Sequence, residues 1–460
     1  MAKPTTLILI TFLIFGCSTR KDNRIQPWPE NSWFWQYKGK PLMLLGASSD
    51  DNLFQWPAEI LIPHLDSMQK IGANYVRCTM SDWQDKGFEI YPFVLLENGK
   101  YDLEQLNKAF YDRFDFFLKE TEKRNIIVQI EVWDRFDYAR NNWSPHPFNP
   151  KNNVNYTTEE SGLDLEYPNH PATNKQPFFF TTPYQQNNAI LLKFQKSRVE
   201  KILEISFRYD HVLYCIDNET SAEETWATYW AELILTKAKE AGKKVCVTEM
   251  WDNWDIKTDH HKRTFDHPER YVFCDVSQNN QQKGQVHWDN FMWVKNYIST
   301  NPRPLNTVKT YGADGGSHGN TKDGIERWWR HVLGGAASAR FHRPPSGLGL
   351  SELSMNSVKT AREIEKTTKF WHLEAGNELL SDREENEAYL ASKPGESYVL
   401  FFTDGGEVGL DLTGFEKDFN IKWIDVRKGE MVSENSLKGG NIVPVKAPGE
   451  LEWIAVIRTK

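Results

Sequence analysis

From residue 40 to residue 375 the chain alternates short, β-prone apolar runs with longer amphipathic stretches, and this order constrains the fold more than any other feature. The runs are 41–46 (PLMLLG), 73–78 (ANYVRC), 126–131 (IIVQIE), 212–217 (VLYCID), 244–249 (KVCVTE), 271–275 (YVFCD), 306–311 (NTVKTY) and 337–341 (ASARF). Helical patterns follow at 57–71, 103–123, 184–209, 222–241, 288–299, 324–333 and 356–373, with only a weak one after the fifth run. Strands that alternate with helices build a parallel sheet, and eight repeats in order predict a closed (β/α)8 barrel. An open doubly wound sheet shares the alternation, but no glycine-rich phosphate turn supports it. After about residue 385 the pattern changes to short period-two strands between glycine turns, as at 398–402, 408–412 and 453–457. That predicts a small antiparallel β-sandwich. The expected division is a barrel over 31–383 and a sandwich over 384–460.

The ends and the composition narrow the setting. Lys3, an apolar run over 7–15 and Gly16-Cys17 form a targeting signal. Residues 13–17 (LIFGC) resemble a bacterial lipobox, which implies lipidation at Cys17 and a cell-envelope lipoprotein facing the periplasm or the exterior. The segment is too short to span a bilayer as a typical helix, and 18–30 reads as a polar tether. A net charge of -8 with 26% charged residues gives no basic run for nucleic acid. The 18 Trp exceed what a core needs, and surplus indole offers flat stacking surfaces. Cys78, Cys215, Cys246 and Cys274 each fall in an expected strand and read as buried thiols, not as a disulfide or zinc framework.

Active sites of such barrels form at the C-terminal ends of the strands. Acids lie there at Asp50, Asp51, Glu131, Asp134, Asp217, Glu219, Glu249, Asp252, Asp275 and Asp314. Glycoside cleavage commonly uses two carboxyl groups, one donating a proton and one attacking or activating water. The competing use of a strand-end acid is to cap the next helix or to pair with a nearby cation. Trp133 and Trp251 follow strands three and five as candidate stacking rings, beside Trp83 and Trp254. Arg77, Lys309, Arg340, His342 and Arg343 fall at strands two, seven and eight, where inward-pointing cations suit an anionic sugar. His318 sits in a glycine-rich loop near Asp314. Residues 134–183 form an insertion long enough to be a lid or binding loop. No zinc motif, nucleotide loop or serine elbow is present, so no metal or cofactor is implied.

The Asn218-Glu219 step after strand four resembles the acid/base position of (β/α)8 glycoside hydrolases. The layout is more narrowly similar to apiosidase-like glycosidases with a C-terminal collagen-binding-type sandwich. That likeness rests on 423–430 (WIDVRKGE), 448–453 (PGELEW) and 328–336 (WWRHVLGGA). The resemblance implies hydrolysis of a plant or algal polysaccharide or its oligosaccharides, with Glu219 as the acid. Such families carry their nucleophile at the end of strand seven, where this chain has Lys309, Thr310 and Tyr311. The second carboxylate is therefore expected from Glu249 or, next, Asp314. Asp50, Asp51, Arg77, Trp133, Asn218, Trp251, Lys309, Tyr311, His318 and Arg343 are the expected substrate contacts. The long third loop favours attack at a chain end. A glycan-binding lipoprotein without catalysis and a polysaccharide lyase stand as alternatives.

Overall fold

The computed structural model describes residues 22–173 and 176–460; the lipobox and Cys17 lie outside the described residues. Eight parallel strands occur in sequence order: β1 (Leu44–Ala47), β2 (Tyr75–Thr79), β3 (Ile127–Asp134), β4 (Val212–Asn218), β5 (Val247–Thr248), β6 (Cys274–Asp275), β7 (Leu305–Asn306) and β8 (Ser338–Phe341). A helix follows each of them: α1 (Ala58–Lys70), α2 (Lys108–Lys123), α3 (Ala189–Ser206), α4 (Glu224–Glu240), α5 (Asp259–Phe265), α6 (Gly284–Tyr297), α7 (Thr321–Gly334) and α8 (Glu352–Thr367). β8 pairs in parallel with β1, Ser338 opposite Leu44 through Phe341 opposite Ala47, which sets the last strand beside the first; β2 to β5 form a second ladder and β6 with β7 a third. The fold is a (β/α)8 barrel.

Local chemistry explains where elements depart from the sequence pattern. The helical pattern read from 103 starts only at Lys108, because the Asn107 side chain caps it by accepting from Ala109 N at 3.1 Å. Residues Tyr101–Leu106 instead pair with Phe93–Leu95 as a hairpin. The first apolar run is split: Lys40–Leu42 joins Gln26–Trp28 and Asn31–Tyr37 in a three-stranded antiparallel sheet, and only Leu44–Ala47 enters the barrel. Strands five to seven pair over two residues each, and β7 reaches β8 further along through a Thr310–Phe341 bridge. The four cysteines named above are free and buried.

The N-terminal sheet plugs the bottom of the barrel. Trp35 is fully buried among Leu44, Tyr75, Ile127, Leu213 and Phe273. Its indole N–H donates to Asn306 Oδ1 at 2.9 Å, and Asn306 Nδ2 donates to the Tyr75 hydroxyl at 3.1 Å. Period-two alternation then carries polar residues up the interior, from Tyr75 to Arg77, Gln129 to Glu131, and Ser338 to Arg340 to His342. Gly46 admits Arg340, since a Cβ there would lie 2.9 Å from Arg340 Cγ and 2.4 Å from the Tyr75 carbonyl.

The C-terminal region is sheet-rich. A six-stranded antiparallel sheet runs in the order Glu374–Ala375, Ala388–Lys393, Ser397–Phe402, Trp453–Thr459, Asp418–Asp425, Glu430–Lys438. A second sheet contains Leu380–Ser381, Glu407–Asp411 and Ile442–Lys446. Leu390, Leu400, Phe402, Val408, Leu410, Ile421, Trp423 and Ile457 pack between the two. The other face of the larger sheet lies on the barrel: Phe401 stacks on Trp329 of α7 and Tyr389 meets Trp288 of α6. Trp35→Ala is expected to lower unfolding stability by about 3–5 kcal/mol, as aromatic-to-alanine core truncations do, read from the denaturant midpoint at unchanged slope.

Candidate active site

A cavity of about 610 Å³ opens at the C-terminal end of the barrel strands. Its walls differ in charge. On the side of β1, β2 and β8, Asp51 is buried and ringed by cations. It accepts from Arg77 Nη1 at 2.8 Å, Arg340 Nη2 at 2.7 Å and Arg343 Nε at 3.0 Å, with His342 Nδ1 3.5 Å away. Burial pushes the Asp51 carboxyl up, but Arg77, His342, Arg340 and Arg343 together drive it well below the usual range. Arg77 also donates through Nε to Glu131 at 2.6 Å. Glu131 is buried so completely that its carboxyl is pushed up to about 7 despite that cation. Asp50 is occupied elsewhere, by Lys86 at 2.9 Å and the Trp56 indole at 2.7 Å.

The opposite wall carries Asp134, Asn218, Glu219 and Asp252 from the ends of β3, β4 and β5. Glu219 pairs with Lys309, and Tyr311 donates to the same carboxyl oxygen at 3.3 Å. Lys309 also donates to Asn218 Oδ1 at 3.1 Å, and Asn218 Nδ2 to Asp134 Oδ1 at 3.0 Å. Burial raises the Glu219 carboxyl, yet Lys309, Arg77 and Tyr311 bring it below the ordinary glutamate range. It is therefore an anion in the free protein. Asp252 behaves oppositely: burial, then the Glu219 charge, raise it above the ordinary aspartate range. Its carboxyl is half-buried and makes no hydrogen bond among the described residues.

The backbone holds these two acids side by side. Glu219 has φ 60°, a left-handed conformation that costs a non-glycine residue about 1–3 kcal/mol. Directly after it, Thr220 N donates to Met250 O at 2.7 Å, and Asp252 N donates to Thr220 O at 2.9 Å. Beneath, the Thr220 hydroxyl meets Asp217 Oδ2 at 3.1 Å and also Glu249. Burial, followed by repulsion from Asp217, raises Glu249 well above the glutamate range. Burial likewise pushes Asp217 up to about 6 against the pull of Arg135.

The cavity thus brings together Asp50, Asp51, Arg77, Asn218, Glu219, Lys309, Tyr311, His318 and Arg343. It leaves out Glu249, Asp314, Trp133 and Trp251. Glu249 is buried one layer below, under Thr220. Asp314 is exposed and accepts from Thr321 N at 3.0 Å at the start of α7, the helix-end use of a strand-end acid. Trp133 is covered by Tyr138 and Phe178 of the insertion and by Trp226 and Trp230 of α4. Trp251 donates to Thr264 Oγ1 at 2.9 Å and lies beneath Arg263, both on α5. Cavity residues for which the sequence gives no signal are Arg140 and His170 in the insertion, Asp85 and Gln281.

No protein-family model matches the chain, and no curated protein matches it. Among solved structures, a glycoside hydrolase family 5 protein from Bacteroides vulgatus superposes with a TM-score of 0.63 at 11% identity, over 95% of this chain and 93% of that one. Another glycoside hydrolase gives 0.63 at 10% identity, over 95% and 97%. A noncanonic maltogenic alpha-amylase from Thermotoga neapolitana gives 0.53 at 12%, over 91% and 98%. At these identities the likeness establishes the barrel architecture and carries no residue roles.

Thr220→Val keeps the shape but removes the hydroxyl shared by two buried carboxyls. We expect a loss of about 1–3 kcal/mol in denaturant unfolding; an unchanged midpoint would show that the bridge holds nothing.

Proposed function

We propose that this chain is a glycoside hydrolase in which Glu219 and Asp252 form the working pair. The observation that carries this is the opposed charge state of two adjacent acids at the mouth of a barrel. Hydrolysis needs one ionised carboxylate and one that keeps its proton. Lys309 and Tyr311 favour the anion at Glu219, while burial and the Glu219 charge favour the acid form at Asp252. Asp252 then donates to the glycosidic oxygen as that bond breaks. Glu219 faces the anomeric carbon, directly or through a water it deprotonates. This exchanges the role that the resemblance implies for Glu219, because a proton donor would not be built against a buried lysine. Lys309, itself held by Asn218 Oδ1, orients the Glu219 carboxylate, and Tyr311 donates to the same carboxylate oxygen.

The broader setting belongs to the same proposal. The substrate is a plant or algal polysaccharide or its oligosaccharides. Attack at a chain end is supported by the insertion, whose Phe136, Arg140 and His170 form part of the cavity wall. The lipobox-like start supports anchoring through Cys17 in a bacterial envelope. One observation favours a second reading, a glycan-binding lipoprotein without catalysis: Lys309 stands where related barrels hold a nucleophile.

Reducing-sugar release from mixed-enzyme digests of plant and algal polysaccharides separates the two. Release that falls about 10²–10⁴-fold in both Asp252→Asn and Glu219→Gln supports the pair; release unchanged in either variant removes that residue from it. Glycan binding with no release by the unaltered chain would favour the second reading. For the active protein the pH profile should be bell-shaped, rising below the ordinary glutamate range and falling above the ordinary aspartate range. Lys309→Met removes the cation that keeps Glu219 ionised, so the rising limb should move to higher pH.

A further inference from the structure

We propose that the cavity selects a sugar bearing an anionic group, a carboxylate or a sulfate ester, and that Arg343 is the residue that reads it. The inference rests on the sugar-processing reading only for the ligand being a sugar. It follows from how the cationic wall is assembled. Asp51 already accepts from Arg77 and Arg340, one at each carboxylate oxygen, at 2.8 and 2.7 Å. Both guanidiniums are buried and committed: Arg77 continues to Glu131, and Arg340 to the Val308 and Asp50 carbonyls and the Ser48 hydroxyl. Arg343 is a third cation on a carboxylate that two cations already satisfy. Asp50 does not neutralise it, since that carboxylate is held by Lys86 and Trp56.

The geometry of Arg343 is that of a presented group. Its Nε edge is fixed on Asp51, and its guanidinium lies over the Trp83 ring, 5.3 Å from the centroid. Trp83 is therefore covered by the cation and braces it. Nη1 reaches only the Pro344 carbonyl at 3.5 Å, and Nη2 has no hydrogen bond among the described residues. The side chain is 26% exposed and lines the cavity. A planar fork with one edge anchored and the other free matches the two oxygens of a carboxylate or sulfate. Arg140 adds a second cation at the rim, with no ion pair among the described residues. The opposite wall holds Glu219, already paired with Lys309, beside Asp134 and Asp252, and offers no comparable free fork to an anion. The anionic group of a charged sugar is thus placed on Arg343, with the ring lying between the walls.

The test is binding, measured by isothermal titration on the full chain, so that it stands whether or not the protein turns over. The probes are methyl glucuronoside and methyl galacturonoside, galactose 6-sulfate, and the neutral parents methyl glucoside, methyl galactoside and galactose. The expected result is that at least one acidic probe binds roughly tenfold to a hundredfold more tightly than its parent. The uronosides and the sulfate tell the two sources of charge apart. Arg343→Gln should erase that preference, and Arg343→Lys should retain part of it. Neutral parents binding as well as every acidic probe would overturn the proposal without any variant. So would a preference that survives in a folded Arg343→Gln protein. An acidic sugar that binds through Arg343 but is never hydrolysed would leave this inference standing and defeat the hydrolase reading alone.

Discussion

A single buried carboxylate, Asp51, fastens the mouth of the barrel at the seam where a parallel sheet must close. It comes from the loop after β1 and holds Arg77 of β2, Arg340 of β8 and Arg343 just beyond β8. Removing charges from water is expensive, and a buried ion pair repays that only with close hydrogen bonds on all sides. Here each carboxylate oxygen has its own guanidinium, and Arg340 Nη1 and Nη2 also donate to carbonyls and a hydroxyl. Deleting one partner from such a network typically costs about 3–5 kcal/mol. The seam between first and last strands is therefore tied by charge above and by apolar packing around Trp35 below.

That network also determines what the rest of the cavity can do. It leaves one wall positive, and Lys309 is the single lysine on the other side, set against Glu219. Lys309 touches Glu219 alone among Asp134, Glu219 and Asp252, and its pull on Asp252 is weaker. Glu219, in contact with it, is brought below the ordinary range, while burial and then the Glu219 charge raise Asp252 against the weaker pulls of Lys309, His170 and Arg135. The difference between the two acids thus comes from placement, because both are partly removed from water. A lysine in place of a carboxylate at the strand-seven position is compatible with hydrolysis on this account, since Lys309 helps to set the charge state of Glu219.

The barrel was legible in the sequence because strands flanked by helices impose a visible period. Alternation also made Arg77, Lys309 and Arg343 readable as inward or mouth-facing positions. Residues that depend on a loop were not. Trp133 follows a strand end, but Tyr138 and Phe178 of the insertion fold back over it, and no periodicity in 134–183 reveals that return. Trp251 is sealed by Arg263 and Thr264 from α5, a helix of seven residues whose pattern is too short to detect. Glu249 and Asp252 are three residues apart in the same strand-end segment, and sequence alone ranks the one nearer the strand. The structure separates them because the chain rises past Thr220: Glu249 stays below the hydroxyl and Asp252 emerges above it.

This last point ties backbone strain to chemistry. Glu219 adopts a left-handed turn that a glutamate does not favour. The turn persists because the next residue is fixed three ways, by two backbone hydrogen bonds to the β5 end and by its hydroxyl on a buried acid pair. Asp217 and Glu249 are both raised by burial, and the Thr220 hydroxyl bridges the two. The buried acids therefore act through geometry: they anchor the residue that aims Glu219 toward Lys309 and sets Asp252 beside it. An Asn-Glu step at the end of a fourth strand is legible as a motif, but the pair it belongs to is defined by the strand next door.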